Sequence, residues 1–238
     1  MGKMRPSRRT EARDLNEQTK PQFYGRRQSR PLRVARQSAM DVVYPQLQIK
    51  DPAQALNFPF KPEAVWLEIG FGSGEALSQW HNMHPNIGFI GCEPFVNGMS
   101  NLCKLIAQDD NKNLRLWNEM AEPLITALPD ASIDRVYLLN SDPWPKKRHH
   151  RRRFIQQESL TTLARILKPG GVLTMTTDHE ALGDWMLDQA LQHAAFTWED
   201  QSKTDKYAKP EGWLETRYEG KGRDAGRHQV YLVFKKTI

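Results

Sequence analysis

Covalent and metal-binding frameworks are nearly absent from this sequence. Its 238 residues include two cysteines, Cys92 and Cys103, too few for a disulfide framework or a zinc site on their own. That usage fits a reducing cytoplasm. His81, His84, His193 and His228 form no ligand spacing with the cysteines, so no metal is expected. No apolar run approaches the roughly 18 residues of a membrane-spanning helix, which argues against a membrane protein. The first thirty residues lack an apolar h-region, so no secretory signal is expected. They also lack apolar periodicity. Their polar composition, with Pro6, Pro21 and Gly25, cannot repay the entropy of ordering. Internal repeats are absent.

What the chain does have is unevenly placed positive charge. Lysine and arginine total 34 against 28 aspartate and glutamate, a net charge of +6. Residues 1–36 hold eleven of these cations against Glu11, Asp14 and Glu17. Lys146, Lys147, Arg148, Arg151, Arg152 and Arg153 fall within eight positions. Outside the two clusters the chain is net acidic. Concentrated basic charge on an acidic body points to a polyanionic partner. A solubilising tail and a solvated loop are the plainer alternative. Residues 1–36 read as a basic, flexible N-terminal arm, and 37–238 as a single domain.

Five prolines between Pro31 and Pro62 break any long helix there. From Val65 short apolar runs alternate with helical stretches. Strands are expected at Val65–Gly70, Ile87–Cys92, Leu114–Trp117, Arg135–Asn140, Val172–Thr177 and Val230–Lys235. Helices are expected at Glu75–His84, Asn97–Gln108, Arg151–Leu167 and Ala181–His193, the third stopped by Lys168-Pro169-Gly170-Gly171. This alternation predicts an α/β fold with a largely parallel, doubly wound sheet.

The strand at Val65–Gly70 runs into glycines at 70, 72 and 74, and a helix follows. Such a turn lets a ligand approach the backbone closely. The spacing is G-x-G-x-G, not the G-x-G-x-x-G of dinucleotide enzymes, and no Gly-Lys-Ser/Thr follows as in a P-loop. Glu68 and Glu75 beside the loop disfavour phosphate and suit a cationic ligand such as S-adenosylmethionine. Glu93 ends the next strand, where an acid can accept both ribose hydroxyls. A purely structural turn is the alternative.

After the fourth strand comes Asn140-Ser141-Asp142-Pro143-Trp144-Pro145-Lys146-Lys147-Arg148-His149-His150-Arg151-Arg152-Arg153. Two prolines stiffen the turn around Asp142 and Trp144. The cations lead into an expected helix start, a plausible phosphate site. Asp142 would position a reactive group, unless it only caps the turn.

These motifs resemble the bacterial tRNA (guanine-N7)-methyltransferase family. The resemblance rests on Leu67-Glu68-Ile69-Gly70-Phe71-Gly72-x-Gly74, Gly91-x-Glu93, Ser141-Asp142-Pro143-Trp144-Pro145-Lys146-Lys147-Arg148-His149, Thr177-Asp178 and Glu215-Thr216-Arg217-Tyr218-Glu219. It runs from about Val65 to the last residue. It implies a class I methyltransferase (Rossmann-like) fold, with a seven-stranded mixed sheet whose last strand is antiparallel. It further implies methyl transfer from S-adenosyl-L-methionine to N7 of guanine 46 in the tRNA variable loop; the sequence leaves a monomer or a homodimer open. Cofactor contacts would come from Glu68, Gly70, Phe71, Gly72, Glu93 and Asp142, the last also being the catalytic-site acid. Lys146, Asp178, Thr216, Arg217, Tyr218 and Glu219 would hold the target nucleotide, and Arg148, Arg151 and Arg152 the RNA backbone. One position departs: the family commonly has an acid contacting adenine where this chain has Met120, leaving Asn118, Glu119 or Met120 for that contact. Two other readings stay open, a same-fold enzyme acting on a protein or small molecule, and a non-enzymatic RNA-binding module. A nicotinamide dehydrogenase is disfavoured by the glycine spacing.

Overall fold

Residues Val65-Trp66-Leu67-Glu68-Ile69 alternate as a strand requires. Val65, Leu67 and Ile69 enter a core with Leu124, Leu163 and Met186 on one side of the sheet. Trp66 packs on the other side, near Phe89, Trp80 and Tyr137. The computed structural model describes residues 24–199, 205–210, 212, 213, 215 and 217–237.

In chain order the elements are α1 (Val34–Val42), α2 (Tyr44–Leu47), β1 (Ala64–Ile69), α3 (Glu75–Met83), β2 (Ile87–Cys92) and α4 (Val96–Leu105). There follow β3 (Leu114–Trp117), α5 (Ala121–Ala127), β4 (Ile133–Leu139), α6 (Gln157–Ile166) and β5 (Leu167–Thr177). The last are α7 (Glu180–Leu191), β6 (Phe196–Trp198), α8 (Arg217–Asp224) and β7 (Val230–Lys236). The seven strands form one sheet in the order β3-β2-β1-β4-β5-β7-β6. β1 is parallel to both β2 and β4, whereas β7 is antiparallel to β5 and β6. The expected mixed seven-stranded sheet with an antiparallel last strand is present.

The strand order reverses direction between β1 and β4. At such a switch point the loops leaving the two strands splay to opposite faces and open a crevice at their carboxyl ends. The strand ends are level on the β1 side of it, where Ile69 pairs with Cys92 and Cys92 with Trp117, and across it Glu68 pairs with Tyr137. Residues that follow these strands are therefore brought side by side.

Several element bounds differ from expectation. The helix expected over Arg151–Leu167 begins only at Gln157. Lys147–Arg152 is instead a 3-10 turn, followed by extended backbone at Arg153 and an interrupted run to Gln156. The break buries Ile155 and Arg153. Arg153 Nε donates to Pro143 O at 3.0 Å, and Trp185 Nε1 to Ile155 O at 2.8 Å. A Gln156–Ser159 capping box then starts α6. The three consecutive arginines thus do not sit at a helix N-terminus, and the phosphate site expected from one is withdrawn. β5 begins at Leu167, so Lys168–Gly171 is an irregular strand entry, with a register shift against β4. α4 stops at Leu105 and α7 at Leu191, short of the expected Gln108 and His193. The expected arm, 1–36, is described only from Tyr24, its earlier residues lying outside the described ones; α1 begins inside it at Val34. Among the described residues no helix is long and apolar enough to cross a membrane.

Candidate active site

The chain leaving β1 turns through Gly70 and Gly72, with φ of +70° and +54°. A side chain at either would be strained, and a Cβ there would meet nothing within 4 Å. The loop therefore borders open space. Behind it α4 comes so close that a Cβ on Gly98 would lie 2.2 Å from Gly72 O. Gly98→Ala is expected to displace the loop and cost about 1–3 kcal/mol through overpacking. Thermal melting would show the loss, and a titration with S-adenosylhomocysteine would show weakened binding.

A cleft of about 880 Å³ opens over this loop. Glu68, Gly70, Phe71 and Gly72 form its floor. Asn140, after β4, and Tyr218 border it on another side. Glu68 is 3% exposed, and its Oε2 has no hydrogen-bond partner among the described residues. Burial, helped by the neighbouring Glu93 charge, pushes its carboxyl up to about 8. A buried acid without a partner is costly when ionised, and a cationic group in the cleft would supply that partner.

Glu93 follows β2. Its Oε2 accepts from Gly72 N at 2.7 Å and its Oε1 from Phe95 N at 2.8 Å. Burial still raises its pKa against these two hydrogen bonds, and the charge of Asp142 adds to the rise. Each carboxylate oxygen keeps a second lone pair for a ligand hydroxyl. After β3, Asn118 Nδ2 donates to Glu93 O at 2.6 Å, and Trp117 Nε1 to Met120 O at 2.7 Å. Glu119 is half exposed and ion-paired to Arg27. Glu68, Glu93, Asn118–Met120 and Asp142 therefore occupy four neighbouring strand ends. The orphaned Glu68 oxygen, the open space above Gly70 and Gly72, and the buried Glu93 fit an adenosine ligand that carries an ammonium and lacks phosphate.

Asp142 lies exposed on the segment after β4. Trp144, two residues on, holds a φ of +43° and Asn140 one of +51°, conformations that cost non-glycine residues about 1–3 kcal/mol each. Arg152 lies 5.0 Å from the Trp144 ring centre and 4.3 Å from that of Tyr24. Lys146, Lys147, Arg148 and Arg151 are exposed, whereas Arg153 is buried. Basic side chains are thus displayed on the 3-10 turn after Asp142 rather than on a helix.

On the far side, Asp178 follows β5 and accepts from Arg227 Nε at 2.7 Å. Gln229 Nε2 donates to Asn140 Oδ1 at 2.8 Å. Tyr218, 52% exposed, reaches the cleft, while Glu219 is buried and accepts from Trp213 Nε1 at 3.0 Å. Arg217 opens α8, and Thr216 lies outside the described residues. Segment 217–224 is helical. No group of three or more His, Cys, Asp or Glu among the described residues could hold a metal.

One wall of the cleft escaped sequence reasoning. Ser29, Arg30, Arg33 and Arg36 line it, on the segment read as part of a flexible arm. Arg36 donates to Asn101 Oδ1 at 2.9 Å, and Asn101 Nδ2 to Ser73 O at 2.8 Å. These partners lie far apart in the chain, and no local motif announces them.

Residues 62–232 match the profile of the methyltransferase family Methyltransf_4. The tRNA (guanine-N(7)-)-methyltransferase of Rhodospirillum rubrum is 40% identical over 224 residues, covering 90% of this chain and 87% of that protein. The protein of the same name from Azorhizobium caulinodans is 42% identical over 219 residues, covering 90% of this chain and 95% of its own. Among solved structures, the 16S rRNA methyltransferase KamB matches with a TM-score of 0.54 at 16% identity, over 75% of this chain and 90% of that one. The aminoglycoside resistance methyltransferase NpmB1 matches with a TM-score of 0.52 at 19% identity, over 74% and 89%. At those identities the likeness is one of fold. The chain is a methyltransferase of the class I fold, whose methyl donor is S-adenosylmethionine. Because the family profile spans most of the chain and the relatives match it over nine-tenths of its length, it belongs to the tRNA (guanine-N7)-methyltransferase family.

Proposed function

We propose that this chain methylates N7 of guanine 46 in the variable loop of tRNA, in the cytoplasm. The observation that carries the reading is the proximity of three acids at the strand ends of the switch point: Glu68 in the cleft floor, Glu93 close enough to raise it, and Asp142 close enough to raise Glu93, with a turn of cations following Asp142 in the chain. In this reading Glu68 takes the ammonium of S-adenosylmethionine and Glu93 the ribose hydroxyls. Gly70, Phe71 and Gly72 lie under the methionine portion, and Asn118–Met120 meet the adenine. Bound, the cofactor supplies an electrophilic methyl group on its sulfonium sulfur.

Guanine N7 carries an in-plane lone pair, so the chain need remove no proton before transfer. Its task is to orient the base in line with the methyl group, a contribution worth up to about 7–11 kcal/mol in favourable cases. Lys146, Asp178 and Thr216–Glu219 would hold the nucleotide, with Asp142 facing the base as it becomes cationic. Arg148, Arg151 and Arg152 would meet RNA phosphates. The N7 edge must be unstacked to be reached, which suits a loop nucleotide.

The test is methyl transfer from labelled S-adenosylmethionine to unmodified tRNA, followed by nucleoside digestion and mass spectrometry. The expected product is 7-methylguanosine, lost when guanine 46 is replaced by adenine. Label in another nucleoside, or an undiminished product after that replacement, would overturn the reading. Removing residues 1–23 is expected to weaken tRNA binding several-fold and flatten its salt dependence. S-adenosylhomocysteine affinity should stay unchanged, as filter binding and calorimetry would read. An unaltered salt slope would leave those residues without an RNA role.

A further inference from the structure

Residues 27–30 form a strap tied to the start of α4, and from it Arg27 reaches across to a single acid after β3. We propose that Arg27 is a positioning residue for cofactor specificity, its guanidinium fork holding the Glu119 carboxylate where it accepts the 6-amino group of the cofactor's adenine. The inference rests on reading the cleft as an S-adenosylmethionine site, and it concerns which chain segment reads the base.

The strand ends set the order of contacts. A ligand with its ammonium at Glu68, near the end of β1, and its ribose at Glu93, after β2, brings its base to the end of β3. Three side chains stand there. Asn118 is anchored by its Nδ2, which donates to Glu93 O at 2.6 Å, and offers only a neutral amide oxygen as an acceptor. Met120 is uncharged, and its carbonyl is taken by Trp117 Nε1. Glu119 is the one acid of the three. Alone, a half-exposed glutamate would sample several rotamers. Here Arg27 Nη1 and Nη2 grip its two oxygens at 2.5 and 2.6 Å, and Nη2 also reaches Asn118 O at 3.2 Å.

Arg27 is fixed in turn. Its carbonyl accepts from Val96 N at 2.8 Å, at the start of α4. Ser29 N donates to Asn97 Oδ1 at 3.0 Å, and Asn97 Nδ2 to Arg30 O at 2.9 Å. Ser29, Arg30, Phe95 and Asn97 all line the cleft. The ion pair therefore bridges the end of β3 and the start of α4, next to the cleft-lining Ser29, Phe95 and Asn97. A fork uses one lone pair on each carboxylate oxygen and leaves another free. The Arg27 hydrogen bonds also hold the Glu119 carboxyl below its usual range, so it remains an acceptor at working pH. An acceptor rejects a 6-oxo base, which presents a second acceptor in the same place.

The experiment is calorimetric titration of the full chain with S-adenosylhomocysteine and with S-inosylhomocysteine, its 6-oxo counterpart. The wild type is expected to prefer the adenosine form by at least about tenfold. Arg27→Ala and Glu119→Ala should each bring the ratio within about threefold, by weakening the adenosine form. Arg27→Ala should add nothing in the Glu119→Ala background. Arg27→Lys keeps the charge without the fork and should recover part of the ratio. Both residues are exposed, so melting temperatures should hold and show the variants folded. Equal binding of the two nucleosides by the wild type overturns the inference and leaves the cofactor reading standing. So does a parallel weakening of both by Arg27→Ala, which would make the strap a closure that does not read the base. Tighter S-adenosylhomocysteine binding by that variant would make the pair an obstruction. A wild type that binds neither nucleoside removes the cofactor reading itself, and this inference with it.

Discussion

Asp142→Ala is expected to lower the rate of methyl transfer to tRNA by about 10²–10³-fold, while S-adenosylhomocysteine affinity shifts by less than about threefold. The split follows from where charge develops. The methylated guanine gains positive charge as transfer proceeds, and a carboxylate beside the base stabilises it only then. S-adenosylhomocysteine has no sulfonium, so its affinity reports the binding surface without that charge. The position of Asp142 is held in advance. Pro143 and Pro145 stiffen the segment, and the buried Arg153 ties it down through Pro143 O at 3.0 Å. Arg153 in turn lies 5.1 Å from the Trp185 ring centre. Such preorganisation is what makes one electrostatic group worth several kcal/mol in a transition state. Asp142→Asn keeps a polar group of the same shape without the charge, and its rate should fall between the two. Single-turnover rates with saturating tRNA, set against calorimetric dissociation constants, decide the matter. A matching fall in both would make Asp142 a cofactor ligand alone and sink the catalytic assignment.

The parallel sheet is legible in the sequence because its signals are local. Val65–Ile69 alternates at a strand's period, and the glycines at 70, 72 and 74 mark where that strand must end. The segment from Asp142 to His149 carries its own rigidity and charge. What was not legible depends on contacts between distant residues. Nothing near Arg153 tells that it will be buried against Pro143 and Trp185, so the helix expected from Arg151 begins at Gln157 instead. β6 has three residues, too few for a periodic signal, and forms by pairing with β7. α8 is glycine-containing and highly polar, and reads as loop. The Arg27–Glu119 pair spans 92 positions, and residues 29–36 become a cleft wall through distant partners on α4, among them Asn97 and Asn101. Local pattern thus yields the layer architecture and the strand-end motifs, and long-range polar contacts complete the site.

Cofactor binding is expected to release close to one proton below about pH 8 and to tighten by up to about tenfold per pH unit on approaching that value. Glu68 is the source. Its carboxyl is pushed up to about 8, so the free protein holds a proton there at neutral pH. An ammonium brought against the carboxylate restores the charged form and drives the proton off. Above about 8 an α-amino group, with an ordinary value of about 7.7–8.0, loses its own proton. Affinity should then fall again, giving a bell with its top near 8. Glu93, also raised by burial, would steepen the acid limb if it ionises on binding. Calorimetry in buffers of differing ionisation enthalpy counts the protons, and a count of zero at pH 6.5 would refute the pairing. Glu68→Gln should remove most of the acid limb and weaken binding at the top of the bell by about 10–100-fold, the worth of a charged hydrogen bond. The free protein carries the same linkage with its own sign. The native carboxyl keeps its proton up to about 8, whereas the unfolded chain releases it near 4.5. The native state thus binds more protons across that window, and its stability falls as pH rises through it. Glu68→Gln should flatten this fall in melting temperature, and saturating S-adenosylhomocysteine should oppose it in the wild type alone, because only there does the ligand's ammonium neutralise the buried charge.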